Sequence, residues 1–366
     1  MRIKDVKVTN FELPMPPIVQ GRFRGNQEVS LLRVITDEGL EGYGMARAHG
    51  GMSGTVIGEM IVRVLKPLLV GQDPLNRERL WHAMWGQERV SYLPAFPIAT
   101  VDVALWDLAG KILGAPVYQM LGGFRERIKA YASSAFLSSV DDYLKDAHFA
   151  LGRGVNSYKI HPFQEPVRDV ELCRILRKDL GPGIGMMLDV GRVYDRMSAL
   201  RVGRVLEELD FVWYEEPLSH YDIQGYAELS RDLDIPVIGA EAIGGSAYSA
   251  AAFLRQNALD MVEIDVYWKG GITGALKIAH LCEAMGLKVA SHHGGSSLMN
   301  LANLHVLCGI QNADSIEVLV PEEKYGYGLK SPIRVDPDGF VSVPPGPGLG
   351  AEIDWDYVKS HTTGEL

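Results

Sequence analysis

The chain has 366 residues, 47 % of them apolar and 22 % charged, which is enough for a large soluble core and, as a soft prior, for two or so domains. A net charge of −10, from 36 basic and 46 acidic side chains, argues against a nucleic-acid or anionic-membrane surface. It leaves room for an anionic small molecule held by local cations or a metal.

The first 125 or so residues open with strand patterns, IKDVKVTNFEL, VSLLRVITDEG and LEGYGMARA, the second and third joined by a DEG hairpin turn. Helical periodicity follows over residues 56–69, 75–87 and 98–113. Strands followed by helices predict an α+β domain over 1–125. Between its first two strands lies PMPPIVQGRFRGNQ, a Pro- and Gly-rich loop. Its Arg22 and Arg24 are candidates for a distal substrate carboxylate, and His49 in ARAHGG is a candidate to reach the same site. The competing explanation for all three is a solvated loop.

From about residue 126 short apolar runs alternate with helical segments: IKAYASS, VNSYKIH, GIGMMLDV, FVWYEEP, PVIGAEA, MVEIDV, KVASHH and SIEVLV. Eight strands alternating with helices over 126–320 predict a closed parallel barrel. The Pro/Gly-rich tail over 321–366 is expected to pack back on the first domain. Cys173, Cys282 and Cys308 are scattered, with no CxxC; they read as buried small hydrophobes of a reducing cytoplasm. The N-terminus lacks an apolar signal core, and no apolar run reaches the ~18 residues of a membrane span.

Polar residues close those barrel strands: Lys159 with His161, then Asp189, Glu215, Glu241, Asp265, His292 and Glu317. From Lys159 the steps are 30, 26, 26, 24, 27 and 25 residues, one βα unit each. Residues at these positions point into the C-terminal mouth, where barrel active sites lie. Packing alone does not explain so many buried charges. Asp189, Glu215 and Glu241 close neighbouring strands, and converging carboxylates repel unless a cation sits among them. All-oxygen ligation selects a hard ion, here Mg²⁺. Salt bridges to lysines are the alternative. Glu216 and His293, each next to a site residue, are expected to face away.

Asp265 and His292 close successive strands. A carboxylate on one ring nitrogen fixes the tautomer and raises the basicity of the other, making His292 a general base or acid. Lys159 and His161 lie two apart, so both face the mouth, opposite His292. Lys159 would neutralise a substrate carboxylate. The parts suit removal of an α-proton next to a carboxylate, with the enediolate stabilised by cations. A glycosidase would need only paired carboxylates, and a non-catalytic binding barrel would need no His292.

At this point the sequence resembles the enolase superfamily, specifically its mandelate racemase/muconate lactonising enzyme branch. The resemblance rests on IATVDVALWDLAGKILGAPVYQMLGG (98–123), WYEEP (213–217), GAE (239–241), IDVYWKGGITGA (264–275), ASHH (290–293) and IE (316–317). It implies an α+β capping domain over a (β/α)7β TIM-like barrel. It implies Mg²⁺ on Asp189, Glu215 and Glu241, an Asp265–His292 dyad, and Glu317 as a hydrogen-bond donor to the substrate carboxylate. Lys159 matches the first Lys of the family's KxK motif; the second is His161 here, either a replacement base or a substrate contact. The resemblance implies an acid sugar as substrate, dehydrated to a 2-keto-3-deoxy acid, with racemisation, epimerisation or cycloisomerisation as the alternative. It also implies a homo-oligomer.

Overall fold

The computed structural model describes residues 1–16, 18, 25–48, 54–293 and 295–366. Arg22, Arg24 and His49 lie outside the described residues.

Strands β1 (Ile3–Leu13), β2 (Gln27–Thr36) and β3 (Glu41–Ala48) form an antiparallel sheet. The DEG turn is where the sequence puts it: Thr36 N–H donates to the Leu40 carbonyl, and Gly39 takes φ +85°. The predicted helix over 56–69 divides into α1 (Gly54–Met60), a π turn over Ile61–Leu65 and α2 (Lys66–Leu69). The physical reason is Pro67, which has no N–H to donate back and whose ring crowds the carbonyl four residues earlier; widening the preceding turn relieves both. Helices α3 (Arg77–Ser91), α4 (Ala95–Leu113) and α5 (Val117–Met120) follow. Helix α4 lies close on the sheet because β3 offers glycines beneath it. A Cβ on Gly42 or Gly44 would sit 2.1 Å from the carbonyl oxygen of Ala104 or Thr100.

All eight expected parallel strands form: β4 (Arg127–Ser133), β5 (Ser157–Ile160), β6 (Gly185–Asp189), β7 (Trp213–Glu215), β8 (Val237–Gly239), β9 (Met261–Ile264), β10 (Lys288–Ser291) and β11 (Ser315–Leu319). Seven helices separate them: α6 (Val140–Leu151), α7 (Pro166–Leu180), α8 (Arg196–Glu208), α9 (Ile223–Asp232), α10 (Ser246–Arg255), α11 (Gly271–Ala284) and α12 (Ser297–Gly309). The pairing runs β10-β9-β8-β7-β6-β5-β4-β11, and Glu317 N–H donates to Ser291 Oγ across the remaining gap. This is a (β/α)7β TIM-like barrel under an α+β cap.

The C-terminal stretch touches both sheets. Strand β12 (Phe340–Ser342) pairs with β4; α13 (Trp355–His361) and β13 (Thr362–Glu365) follow, and β13 pairs with β1. The three cysteines are free and buried. Among the described residues no helix is long and apolar enough to cross a membrane.

Candidate active site

Asp189 ends β6 and Glu215 ends β7, directly paired in the parallel register; Glu241 follows β8 by two residues. One carboxylate oxygen of each lies within 4.8 Å of the others. All three are buried, and Glu216 and Glu263 add two more buried carboxyls nearby. Such a group needs positive charge, and its oxygen-only donor set suits a hard dication. The residues therefore fit Mg²⁺.

Lys159 supplies part of the countercharge. It is fully buried, with Nζ 2.5 Å from Glu215 Oε1, 2.9 Å from Glu317 Oε1 and 3.7 Å from Asp189 Oδ2. Burial would lower its pKa, yet Glu215 and Glu317 hold it well above the usual lysine value. Burial pushes Glu215 up despite Lys159, whereas Glu317 is pulled below the carboxylate range, against burial, by Lys159 and His292. Glu317 Oε2 accepts the His293 N–H. Lys159 and Glu317 thus brace each other beneath the mouth, rather than facing the cavity above it as the sequence suggested for Lys159.

The dyad forms as expected. His292 Nδ1 lies 3.0 Å from Asp265 Oδ2. Asp265 Oδ1 accepts the Tyr267 N–H and an Asn303 Nδ2–H, and Asn303 also donates to the His292 carbonyl. Sequence reading missed Asn303, which lies inside α12 with no strand-end position to mark it. His292 Nε2 is turned toward the acidic trio, 3.0 Å from Glu241 Oε2. Burial would lower the His292 pKa, but Glu241 and Asp265 raise it well above the ordinary imidazole value.

His161 sits on the opposite wall. Its Nδ1 is 2.8 Å from the Ser134 carbonyl oxygen, which takes an Nδ1–H, and its Nε2 faces Asp189 Oδ2 at 3.0 Å. Glu216 turns away from the trio, its Oε1 accepting from Ala240 N–H and its Oε2 3.3 Å from Arg192 Nε. His293 differs from expectation. Strand β10 ends at Ser291, so the two-residue alternation stops there, and the His293 ring lines the same cavity as His292. Burial lowers its pKa to about 4, leaving it neutral.

Asp189, Glu241, His161 and His292 open onto one cavity of about 250 Å³ between barrel and cap. Gln27 and Arg47 reach it from the cap, Tyr325 and Tyr327 from the C-terminal segment, and Arg192 and Trp268 from barrel loops. Arg47, Arg192, Tyr325 and Tyr327 were not singled out in the sequence, although Arg47 lies in the same ARAHGG run as His49. Arg47 Nε donates to the Gly295 carbonyl at 2.7 Å, tying the end of β3 to the loop after His292.

Residues 3–122 match the sequence family "Mandelate racemase / muconate lactonizing enzyme, N-terminal domain", and 142–357 match "Enolase C-terminal domain-like". The chain is 29 % identical to arabinonate dehydratase of Saccharolobus solfataricus over 349 residues, 92 % of this chain and 91 % of that protein. It is 26 % identical to D-galactarolactone cycloisomerase of Agrobacterium fabrum, covering 89 % of each. The crystal structure of D-glucarate dehydratase from Agrobacterium tumefaciens, complexed with magnesium, superposes with a TM-score of 0.90 at 33 % identity, covering 100 % of both chains.

Proposed function

The chain belongs to the mandelate racemase/muconate lactonising enzyme branch of the enolase superfamily, and from that premise we propose that it is a Mg²⁺-dependent acid sugar dehydratase. The observation that carries the reading is His292, held by Asp265 on one ring nitrogen and aimed at the trio with the other. Asp189, Glu215 and Glu241 would hold the ion. Bound Mg²⁺ supplies positive charge to the substrate carboxylate and to the dianionic enediolate formed from it.

In this reading a cation held by Glu241 would offset the charge that keeps His292 protonated, and the neutral imidazole takes the α-proton while the C–H electrons move into the carboxylate. The imidazolium then returns that proton to the β-hydroxyl, which leaves as water. The resulting enol tautomerises to a 2-keto-3-deoxy acid. One histidine serves both steps of a syn elimination; His161, across the cavity, would give the proton in an anti elimination. Lys159 adds charge from below. Glu317 serves best as its brace, because donating a hydrogen bond to substrate would require a proton that Lys159 and His292 disfavour.

A second reading has its own observation. His161 and His292 both aim Nε2 into one cavity, an arrangement that also suits proton transfer on two faces of an α-carbon. Epimerisation or cycloisomerisation would use it, as the similarity to a cycloisomerase allows. Incubation with an acid sugar library in D₂O separates the two. Keto-acid formation supports dehydration; deuterium incorporation with isomerised product supports the second reading. Neither keto acid nor α-exchange from any α-hydroxy acid with Mg²⁺ saturating would overturn both.

A further inference from the structure

The barrel holds a second cavity, at the end opposite the acidic trio. It measures about 480 Å³ and is rimmed by the first residues of the strands. Its origin is readable strand by strand. Tyr131, Met187, Trp213, Ile238 and Ala290 pack together inside the barrel as one layer. Two residues earlier on the same strands the inward positions are Lys129, Gly185 and Lys288. On β5 and β11 the corresponding residues are Ser157 and Ser315, two before Lys159 and Glu317. A parallel barrel ordinarily fills each layer with bulky branched side chains. Here the lowest layer offers a glycine, two serines, two lysines and, beside Lys288 on β9, Met261, too little volume to fill it.

The chamber has a directional chemistry. Its roof is aromatic and thioether surface from Trp213, Tyr131 and Met187, with Met261 on the wall beside Lys288. Its rim carries Lys129 and Lys288. Lys288 pairs with Asp314 at 2.5 Å, while the other rim carboxylate, Asp260, accepts the Val237 N–H and the Ser230 hydroxyl. Lys129 is exposed, and no carboxylate pairs with it among the described residues. An occupant with a flat apolar body under the roof and an anionic end at the rim matches both surfaces.

We propose that the N-terminal mouth of the barrel is a binding site for an aromatic monocarboxylate, its ring under Trp213 and Tyr131 and its carboxylate at Lys129 and Lys288. The site is separate from the catalytic mouth, yet it touches it through one layer of side chains. Trp213 Nε1–H donates to Glu215 Oε2 at 2.8 Å, and Tyr131 OH donates to the Ser291 carbonyl, whose own hydroxyl accepts from Glu317 N–H. The ligand would therefore sit directly beneath the residues that support Glu215 and Glu317.

The test uses the full chain with Mg²⁺ and the probe 3-(4-bromophenyl)propanoate. In soaked crystals a bromine anomalous peak is expected within the chamber. In solution, calorimetric titration is expected to show Lys129→Gln and Lys288→Gln each weakening the probe about three- to tenfold, and the uncharged amide of the probe losing a similar factor. Ser315→Phe, which fills the chamber, should abolish binding there. Should that variant misfold, the two exposed lysine substitutions still decide. Bromine found only beside Asp189 and His292, no bromine at all, or an affinity indifferent to both lysines would each overturn the proposal.

Discussion

His292 lies between two carboxylates, 3.0 Å from Asp265 on one ring nitrogen and 3.0 Å from Glu241 on the other. The two contacts have different meanings. Asp265 is buried and further fixed by Tyr267 and Asn303, so it sets the tautomer. Glu241 faces the cavity and belongs to the trio that would share a cation. His292→Asn keeps the shape and removes the base. Turnover and α-proton exchange are expected to fall by about 10²–10⁴, the usual worth of a positioned general base. Mg²⁺ affinity, read by calorimetry, should hold or rise, because a competing cation beside Glu241 is gone. Undiminished turnover would remove His292 from the chemistry.

Lys159 gives a prediction about stability rather than rate. Its ammonium offsets Glu215 and Glu317 where water is excluded. Lys159→Met leaves those carboxylates uncompensated, which costs about 3–5 kcal/mol for a broken buried pair. Thermal melts should show a large loss without Mg²⁺ and a smaller one with it, since an added cation takes over part of the countercharge. A loss independent of Mg²⁺ would mean that Lys159 and the trio are not electrostatically linked.

The βα spacing made the barrel legible, because short apolar runs recurred at one βα unit's distance with a polar residue at or near the end of most of them. For the same reason Asp189 and Glu215, at the ends of β6 and β7, and Asp265, just past β9, could be placed from sequence, whereas Glu317 lies two residues inside the end of β11. Legibility stopped where the two-residue alternation stopped. His293 lies past the end of β10, and nothing in the pattern says that its ring turns into the cavity. Asn303 and Ser134 act on the histidines from a helix and a loop, so their roles appear only once chains far apart in sequence meet. The cap's contribution was legible as a region but not as residues. Gln27 and Arg47 line the cavity because β2 and β3 begin and end there, a matter of how the cap sits on the barrel.

His161 distinguishes the two proposed reactions. With Nδ1–H donated to the Ser134 carbonyl, its other ring nitrogen, Nε2, faces Asp189 on the wall opposite His292. His161→Ala should leave syn dehydration by His292 within about tenfold of the parent rate while lowering substrate affinity. If His161 is the base of the second face, or the acid of an anti elimination, the same change should lower turnover by about 10²–10⁴ and confine deuterium exchange to one face. Deuterium position by NMR reads the outcome directly.

Asp102 joins cap to barrel and should give the fold a measurable pH dependence. It is fully buried on α4, where its oxygens accept the Thr273 N–H and the Thr273 hydroxyl at the start of α11. Burial raises its pKa to about 7, more than the Thr273 hydrogen bonds lower it. Between pH ~4 and ~7 the folded chain therefore keeps a proton that an unfolded chain has released. Stability from this group is fully present below pH ~4 and is lost as pH rises toward 7, with an upper bound of about 4 kcal/mol at ~1.4 kcal/mol per unit. Asp102→Asn mimics the protonated form, its amide able to replace both contacts. The variant's melting temperature should gain on the parent's as pH rises from 5 to 7 and then run parallel above it. A constant difference across that range would show that Asp102 is charged in the fold throughout, held by Thr273 and the start of α11 against the cost of burial.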